Sequence, residues 1–212
     1  VVVNDTIDVG RVVSAARAAQ ASFERRRIRY LPINLDSFGG DCDEIIGRIC
    51  TTYSEGEWYP VPEDGEIVRL RTRLLQRLDS MQILAPDSDW ILGQRVWYRA
   101  EAGDAEGALS VATRCGDVQR WWCQALRGFA LQALGEYHAA LRAFEAALEG
   151  MDPEQAMKWR VPRWSVDSKA RELLDDAAEE PAVRRALIDR IWTLADPLYL
   201  APGNDRLTEH YA

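Results

Sequence analysis

The chain has 212 residues, of which 47% are hydrophobic and 28% are charged, and its net charge is −8 at neutral pH. This composition is typical of a folded globular protein, long enough to form one elongated domain or two small ones. The acidic balance argues against a protein that wraps nucleic acid, and no apolar run has the length of a membrane span.

The N-terminal region, residues 1–86, is predicted to be helical. Apolar residues recur at helical spacing over residues 9–30 and again over residues 67–81, which predicts an amphipathic helix in each place. The first helix closes with a basic run at residues 25–29. We interpret this run as a solvated helix end, because cations are favoured near a helix C-terminus.

A shorter helix is expected between these two, capped by Asp41 or Asp43 and running through Ile45, Ile46, Ile49 and Tyr53. Residues 54–65 follow as a predicted surface loop whose aromatic side chains, led by Trp58, pack back on the first helices. The alternative for these aromatic side chains is an exposed platform for a ligand.

Two similar segments follow at residues 90–115 and 123–150, and each is predicted to be two helices joined by a tight turn. Gly103 and Gly135 occupy the same place in the two turns and are 32 positions apart. Small residues let two helix backbones approach closely, and a large ring fills the space beside them. The same offset aligns three further pairs: Ala108 with Ala140, Leu109 with Leu141, and Ala112 with Phe144.

The second segment resembles a tetratricopeptide repeat, a helix–turn–helix unit with a period of about 34 residues. The first segment is a more distant copy, with Val96 at the position of Gly128 and Ala105 at that of Tyr137. The alternative is a pair of unrelated amphipathic hairpins in a helical bundle, and both interpretations give an all-α protein. The residues that carry the resemblance are Gly128, Gly135, Glu136, Tyr137, Ala140, Phe144 and Ala147.

The resemblance implies a short right-handed α-solenoid of antiparallel helix hairpins. Its two repeats would span residues 87–153, between the N-terminal region and a C-terminal helical region at residues 154–212 that we expect to be truncated. It also implies a scaffold that binds a protein or peptide partner on a concave surface. First-helix residues would line that surface: Gln94, Arg95, Tyr98, Gln124, Arg127 and Leu131.

Four cysteines, at positions 42, 50, 115 and 123, allow three pairings. A bridge between Cys115 and Cys123 would join neighbouring helices across the turn at Gly116 with little strain. Cys42 and Cys50 can pair only if the chain bends between them. On one helix they would be about 12 Å apart, and a disulfide needs Cα atoms within about 7 Å.

We expect both local disulfides, Cys42–Cys50 and Cys115–Cys123. They would place the protein in an oxidising compartment, the periplasm or the cell exterior. Buried free thiols, which would fit a cytoplasmic protein, are the alternative. The cysteine spacing is wider than in common zinc motifs, so we expect no metal site.

The C-terminal region is predicted to begin with a loop or irregular helix over residues 155–166. Helices follow over residues 168–178 and 181–194. The carboxylates around Asp175 and Glu179 are interpreted as a solvated face and not as an acid–base pair. The last of these helices is expected to direct four side chains inward: Val183, Leu187, Ile191 and Leu194.

The residues that follow resemble the entry segment of bacterial domains named for a Gly-Trp-x-Thr-Asp motif. The shared residues are Trp192, the Asp196-Pro197 pair, Asn204 and Glu209, and the naming motif itself is absent. The resemblance covers about twenty residues and implies a bacterial envelope protein whose C-terminal part has been removed.

Catalytic motifs are absent from the sequence. It contains no His-Glu-x-x-His motif, no Walker loop and no nucleophile elbow, and its two histidines are His138 and His210. The leading hypothesis is therefore a peptide-binding scaffold without catalysis or cofactor. The alternatives are an extracytoplasmic enzyme that uses scattered carboxylates, and a structural spacer leading to a missing C-terminal domain.

Overall fold

A computed structural model describes residues 8–29, 44–46, 49–116, 118–162, 166–196 and 202–212. The chain is mostly helical and divides into two compact units, Val1–Ala85 and Pro86–Ala212, which we call unit 1 and unit 2. The expectation of a helical protein is therefore correct for most of the chain. Unit 1 also contains a small sheet that the sequence analysis missed.

Unit 1 is built on two long helices that pack against each other, α1 (Val9–Arg29) and α2 (Gly65–Leu84). α2 begins one residue after Asp64, whose carboxylate accepts a hydrogen bond from the Glu66 amide at 2.7 Å. That bond satisfies one of the unpaired amides of the first helical turn. The buried apolar side chains are Ala16 and Phe23 on α1, and Ile67, Leu74 and Leu78 on α2.

The basic end of α1 is only partly solvated, contrary to the interpretation from sequence. Arg25 and Arg26 are exposed, but Arg27 is buried and its Nη2 lies 3.8 Å from Oε1 of Glu63. The other oxygen of Glu63 accepts a hydrogen bond from Arg71, which is buried on α2. Glu63 therefore links the two helices, because a buried guanidinium is stable only beside a carboxylate or another acceptor.

A three-stranded antiparallel sheet occupies the stretch where a short helix and a loop were predicted. Its strands lie in the order β1 (Glu44–Ile46), β2 (Ile49–Ser54) and β3 (Glu57–Pro60). Glu55 and Gly56, with φ of 53° and 91°, form the two-residue turn between β2 and β3. The helix prediction was wrong because the β-branched and aromatic residues of β2 favour an extended chain, and this turn joins two strands.

Unit 2 is helical through most of its described residues. α3 and α4 are joined by a tight turn and pack against each other, as do α5 and α6, and α4 also packs on α5. Its helices are α3 (Asp89–Glu101), α4 (Ala105–Thr113), α5 (Arg120–Ala133), α6 (Tyr137–Gly150), α7 (Pro153–Arg160), α8 (Ser168–Asp176), α9 (Pro181–Ala195) and α10 (Asp205–Tyr211).

α7 is more regular than predicted. The stretch expected to be a loop or irregular helix contains most of an eight-residue helix, which Pro153 opens. Proline fits this first position because its missing amide hydrogen would have no partner there. The Asp152 carboxylate caps the helix by accepting from the Gln155 amide at 3.0 Å.

The α3–α4 and α5–α6 turns make the same backbone hydrogen bonds at positions 32 residues apart. In each turn the glycine amide donates to the carbonyl three residues earlier, at 3.0 Å for Gly103 and 2.9 Å for Gly135. The next amide donates to the carbonyl five residues earlier, at 2.9 Å for Asp104 and 3.0 Å for Glu136. Both glycines have positive φ, 80° and 76°, a conformation that strains other residues.

α5 and α6 approach each other closely at Gly128. A Cβ placed on Gly128 would lie 2.8 Å from two ring carbons of Phe144, and Phe144 is itself buried. Ala140 and Ala147, one helical turn before and after Phe144, are also fully buried. The small–large–small pattern of the sequence is therefore the contact surface between these two helices.

α9 buries only part of the face predicted for it, since Leu187 and Ile191 pack half-buried against the core cluster as expected but Val183 and Leu194 do not. Ile188 and Trp192 are buried in a cluster with Leu174 of α8, whereas Val183 and Leu194 are 46% and 76% exposed. The apolar residues of α9 spread over a wide part of the helix surface. Their spacing in the sequence therefore does not decide which of them are buried by neighbouring helices. The packing against α8 selects Ile188 and Trp192.

Candidate functional site

The floor of the candidate site is the contact between α3 and α5. Gly93 on α3 lies against the ring of Trp122 on α5, and a Cβ at position 93 would be 3.0 Å from Cζ2 of that ring. The Trp122 Nε1 donates a hydrogen bond to the Asp89 carbonyl at 3.0 Å. The glycine and the hydrogen bond together hold the indole across both helices.

Further aromatic rings extend this floor in two directions. Trp97 of α3 stacks on Phe129 of α5, with ring centroids 5.2 Å apart and planes inclined by 19°. The Trp121 ring lies edge-on to the ring of Trp122, with centroids 5.6 Å apart, and to that of Trp159 on α7, with centroids 6.1 Å apart. Such arrangements are the favoured geometries of aromatic pairs, so the rings support one another in place.

The rings of Trp97, Trp122, Phe129 and Trp159 line an open groove of about 310 Å³, which we call the aromatic groove. Its walls are mostly apolar, with the Gln94 amide on α3 among the polar groups, and Trp97 remains 37% exposed beside it. α10 borders one end. The lining residues are Gly93, Gln94, Trp97, Trp122, Ala125, Leu126, Phe129, Trp159, Tyr211 and Ala212.

Two side chains of α10 are held by neighbouring helices, and one of them, Tyr211, lines the groove. The Tyr211 ring packs on Phe144 with centroids 5.4 Å apart, and burial raises the pKa of its hydroxyl to about 12. His210 Nε2 lies 2.7 Å from the Trp159 carbonyl, an acceptor, so this nitrogen carries the hydrogen. The imidazole also packs on Trp192, with ring centroids 4.7 Å apart. Burial lowers the pKa of His210.

A second cavity, of about 600 Å³, lies beside the start of α5 and the end of α6. Gly150 allows α6 to approach Trp121, because a Cβ there would lie 3.0 Å from the Trp121 Cβ. Arg120 and Glu149 give this cavity a mixed charge. The lining residues are Gln119, Arg120, Trp121, Gln124, Ala146, Glu149 and Gly150.

The six residues predicted to line a concave surface lie in different environments. Gln94 lines the aromatic groove, and Gln124 lines the second cavity. Tyr98 and Leu131 are buried, Arg127 is exposed, and Arg95 is half-buried. The structure therefore brings one of the six into the groove, and the ligand role of the set stays a prediction.

The aromatic residues of the groove were missed individually, although the sequence offered a general signal. Eight tryptophans are a high count for this length, but the count does not say which of them meet. Their meeting point depends on contacts between helices that are far apart in the chain. Periodicity within one helix cannot supply that information.

The disulfide Cys115–Cys123 is present as predicted, with Cα atoms 5.8 Å apart. It connects Cys115, two residues beyond the end of α4, to the first turn of α5, next to Trp122. The predicted pair Cys42–Cys50 falls outside the described residues, since neither Cys42 nor the side chain of Cys50 is described.

Within the part of the chain that the structure describes, no three His, Cys, Asp or Glu side chains come together as potential metal ligands. None of the described helices combines the length and apolar character needed to cross a bilayer. The acidic residues at the end of α8, Asp175 and Asp176, are exposed and lie outside both cavities.

Comparison of the chain with protein-family models, with curated proteins and with solved structures gives no match.

Proposed function

We propose that unit 2 is a tetratricopeptide-like scaffold that binds a peptide segment of a partner protein in the aromatic groove. The repeat architecture is supported by the two turns with equivalent hydrogen bonds at Gly103 and Gly135. It is further supported by the close approach of Gly128 to Phe144. In this proposal the hairpins form the short right-handed solenoid that the sequence resemblance implies.

The observation that carries the binding role is the groove itself. Trp97 and Phe129 present a stacked aromatic surface at its edge, and large apolar side chains kept partly in contact with water are a common feature of interaction sites. A volume of about 310 Å³ fits a few side chains of a peptide. The Gln94 side chain offers both an NH2 donor group and a carbonyl acceptor to the peptide backbone.

The proposal includes a location in the bacterial envelope. Its support is the Cys115–Cys123 bridge, because such bonds persist in oxidising compartments and are rare in the cytosol. The segment that resembles the Gly-Trp-x-Thr-Asp proteins points the same way. In this segment Trp192 is buried, and the Asn204 amide donates to its carbonyl at 2.9 Å.

The test is a selection of random peptides on the immobilised, oxidised chain, followed by binding measurements on single variants. Peptides that occupy the groove should lose at least about tenfold in affinity on Trp97→Ala, since a buried aromatic anchor commonly contributes 2 kcal/mol or more to binding. Gln94→Ala should weaken the same peptides by a smaller factor.

The matched control is Trp58→Ala, which removes an exposed indole from the sheet of unit 1, where the ring is 51% exposed. Groove-binding peptides should be unaffected by this change. Failure to select any peptide, or selected peptides that respond to Trp58→Ala and not to Trp97→Ala, would overturn the proposal and favour a structural spacer.

A further inference from the structure

The disulfide Cys115–Cys123 ends in the first turn of α5, the turn that also carries two of the tryptophans around the aromatic groove. Trp122 is next to Cys123 in the chain and lines the groove. Trp121 lies edge-on to the ring of Trp159, which lines the groove as well. Two rings of the groove therefore depend, directly or through a contact, on the position of this one turn.

The first turn of α5 has few local features that stabilise it. Its N-cap residue, Gln119, accepts a hydrogen bond from the Trp121 ring nitrogen and from none of the amides of the turn. By contrast, the side chains of Ser88 and Asp104 cap the corresponding amides of α3 and α4. The turn also begins with Arg120 and contains no acidic residue, although the helix dipole disfavours a cation at an N-terminus. A helix end with these features frays readily.

The disulfide supplies a restraint that the sequence of the turn lacks. It keeps the Cα atoms of Cys115 and Cys123 5.8 Å apart. Without the bond, the turn is joined to α4 only through the backbone of the connection that contains Gly116, so local opening costs less. The hydrogen bond from Trp122 to the Asp89 carbonyl still links the turn to α3. Reduction should therefore weaken this turn without unfolding the rest of α5.

We propose that the Cys115–Cys123 bond is a redox switch for the aromatic groove, which binds its peptide tightly only when the bond is formed. The inference rests on the proposed function and adds the regulation of that same site. In the reduced chain the first turn of α5 opens for part of the time, and Trp122 then leaves the floor of the groove. The apparent affinity falls in proportion to the fraction of chains whose groove is intact.

The bond forms by thiol–disulfide exchange with a disulfide oxidant. The two thiols together lose two protons and two electrons, the bond between the Sγ atoms forms, and the disulfide of the oxidant is reduced to a dithiol. Cys115 and Cys123 are both half-buried, so part of each residue is accessible to such a reagent. With the envelope location proposed above, the chain becomes competent to bind only after it reaches an oxidising compartment.

The test measures two quantities on the full chain, oxidised and after reduction with dithiothreitol. The first is the affinity of a peptide selected on the oxidised chain, whose dissociation constant should rise at least about tenfold on reduction. The second is hydrogen exchange at the amides of residues 123–126, whose helical acceptors lie at residues 119–122. These amides should exchange at least about tenfold faster in the reduced chain, while those of residues 141–150 in α6 should not change.

Matched cysteine variants separate this bond from the other two cysteines. Cys115→Ser combined with Cys123→Ser should reproduce both effects without reductant, and reductant should then have no further effect on affinity. Cys42→Ser combined with Cys50→Ser leaves the bond in place, so this protein should bind, and respond to reductant, as wild type does. Circular dichroism reports whether each protein keeps its helices. If the first double variant does not fold, reduced wild-type protein provides the same comparison.

Equal peptide affinity with and without the bond would overturn the inference and leave the proposed function standing. Unchanged exchange at residues 123–126 would overturn it as well, whether or not a peptide had been selected. Loss of most of the helical circular dichroism on reduction would also count against it, because the bond would then hold the whole fold and not one turn. If no peptide can be selected although exchange is faster in the reduced chain, the proposed function fails and the switch fails with it.

Discussion

Replacement of Gly128 by alanine tests the packing on which unit 2 depends. The added Cβ would lie 2.8 Å from Cδ1 and Cε1 of Phe144 and 2.9 Å from Cγ, closer than real Cβ atoms come to such carbons. Phe144 is 1% exposed, so its ring has no free space to enter. One of the two helices must therefore move, or the ring must leave its preferred rotamer.

The expected magnitude follows from two opposing effects. Overpacking a buried site costs about 1–3 kcal/mol, and three close contacts with a buried ring favour the upper end of that range. In a helix interior, alanine stabilises the helix by about 1 kcal/mol relative to glycine, which offsets part of that cost. Gly128→Ala should therefore lower the free energy of unfolding of unit 2 by about 2 kcal/mol, or its melting temperature by about 4–8 °C.

The assay is urea unfolding followed by tryptophan fluorescence and circular dichroism. Gly65→Ala is the matched control, because its Cβ would meet only the flexible end of Arg69, at 3.7 Å. Trimming the ring with Phe144→Leu should relieve the clash, so the two changes together should cost less than their sum by about 1–2 kcal/mol. A Gly128→Ala protein as stable as wild type would refute the close-packing argument.

Two other predictions concern the elements around the groove. Cys115 and Cys123 should resist alkylation until reductant is added, and reduction should lower the stability of unit 2 by about 2–3 kcal/mol, measured by thermal unfolding with and without reductant. For His210, burial lowers the folded-state pKa, so the unfolded chain takes up the proton first as the pH falls. Stability should therefore decrease below about pH 6.5 until the folded-state pKa is reached. His210→Gln should reduce this decrease, which melting temperatures at pH 7.5 and pH 5 would reveal.

Helix positions in unit 2 were largely predictable because their signals are local. Gly103 and Gly135 mark the turns at which only glycine is unstrained, and Ser88 caps α3 by accepting from the Ile91 amide at 3.3 Å. The disulfide was predictable for a similar reason, since Cys115 and Cys123 lie on either side of one turn. Each of these features is decided within about ten residues of chain.

The errors lie where one residue pattern allows two structures. The sequence of β2 can place apolar residues on a helix face or alternate them along a strand, and the hairpin turn at Glu55 and Gly56 decides for the strand. The basic end of α1 has the composition of a solvated terminus. Arg27 is nevertheless buried, because Glu63, more than thirty residues later in the chain, returns beside it.

The groove shows that a sequence pattern can also leave open which of two adjacent helix residues faces a site. Tyr98 and Trp97 are neighbours on α3, and successive residues of a helix point about 100° apart. Tyr98 was predicted to line the ligand surface, yet Tyr98 is buried and Trp97 lines the groove beside Phe129. The arrangement that places Trp97 there includes Trp159 and Tyr211, which come from two helices later in the chain. The site is therefore a property of four helices together, and no single one of them carries its pattern.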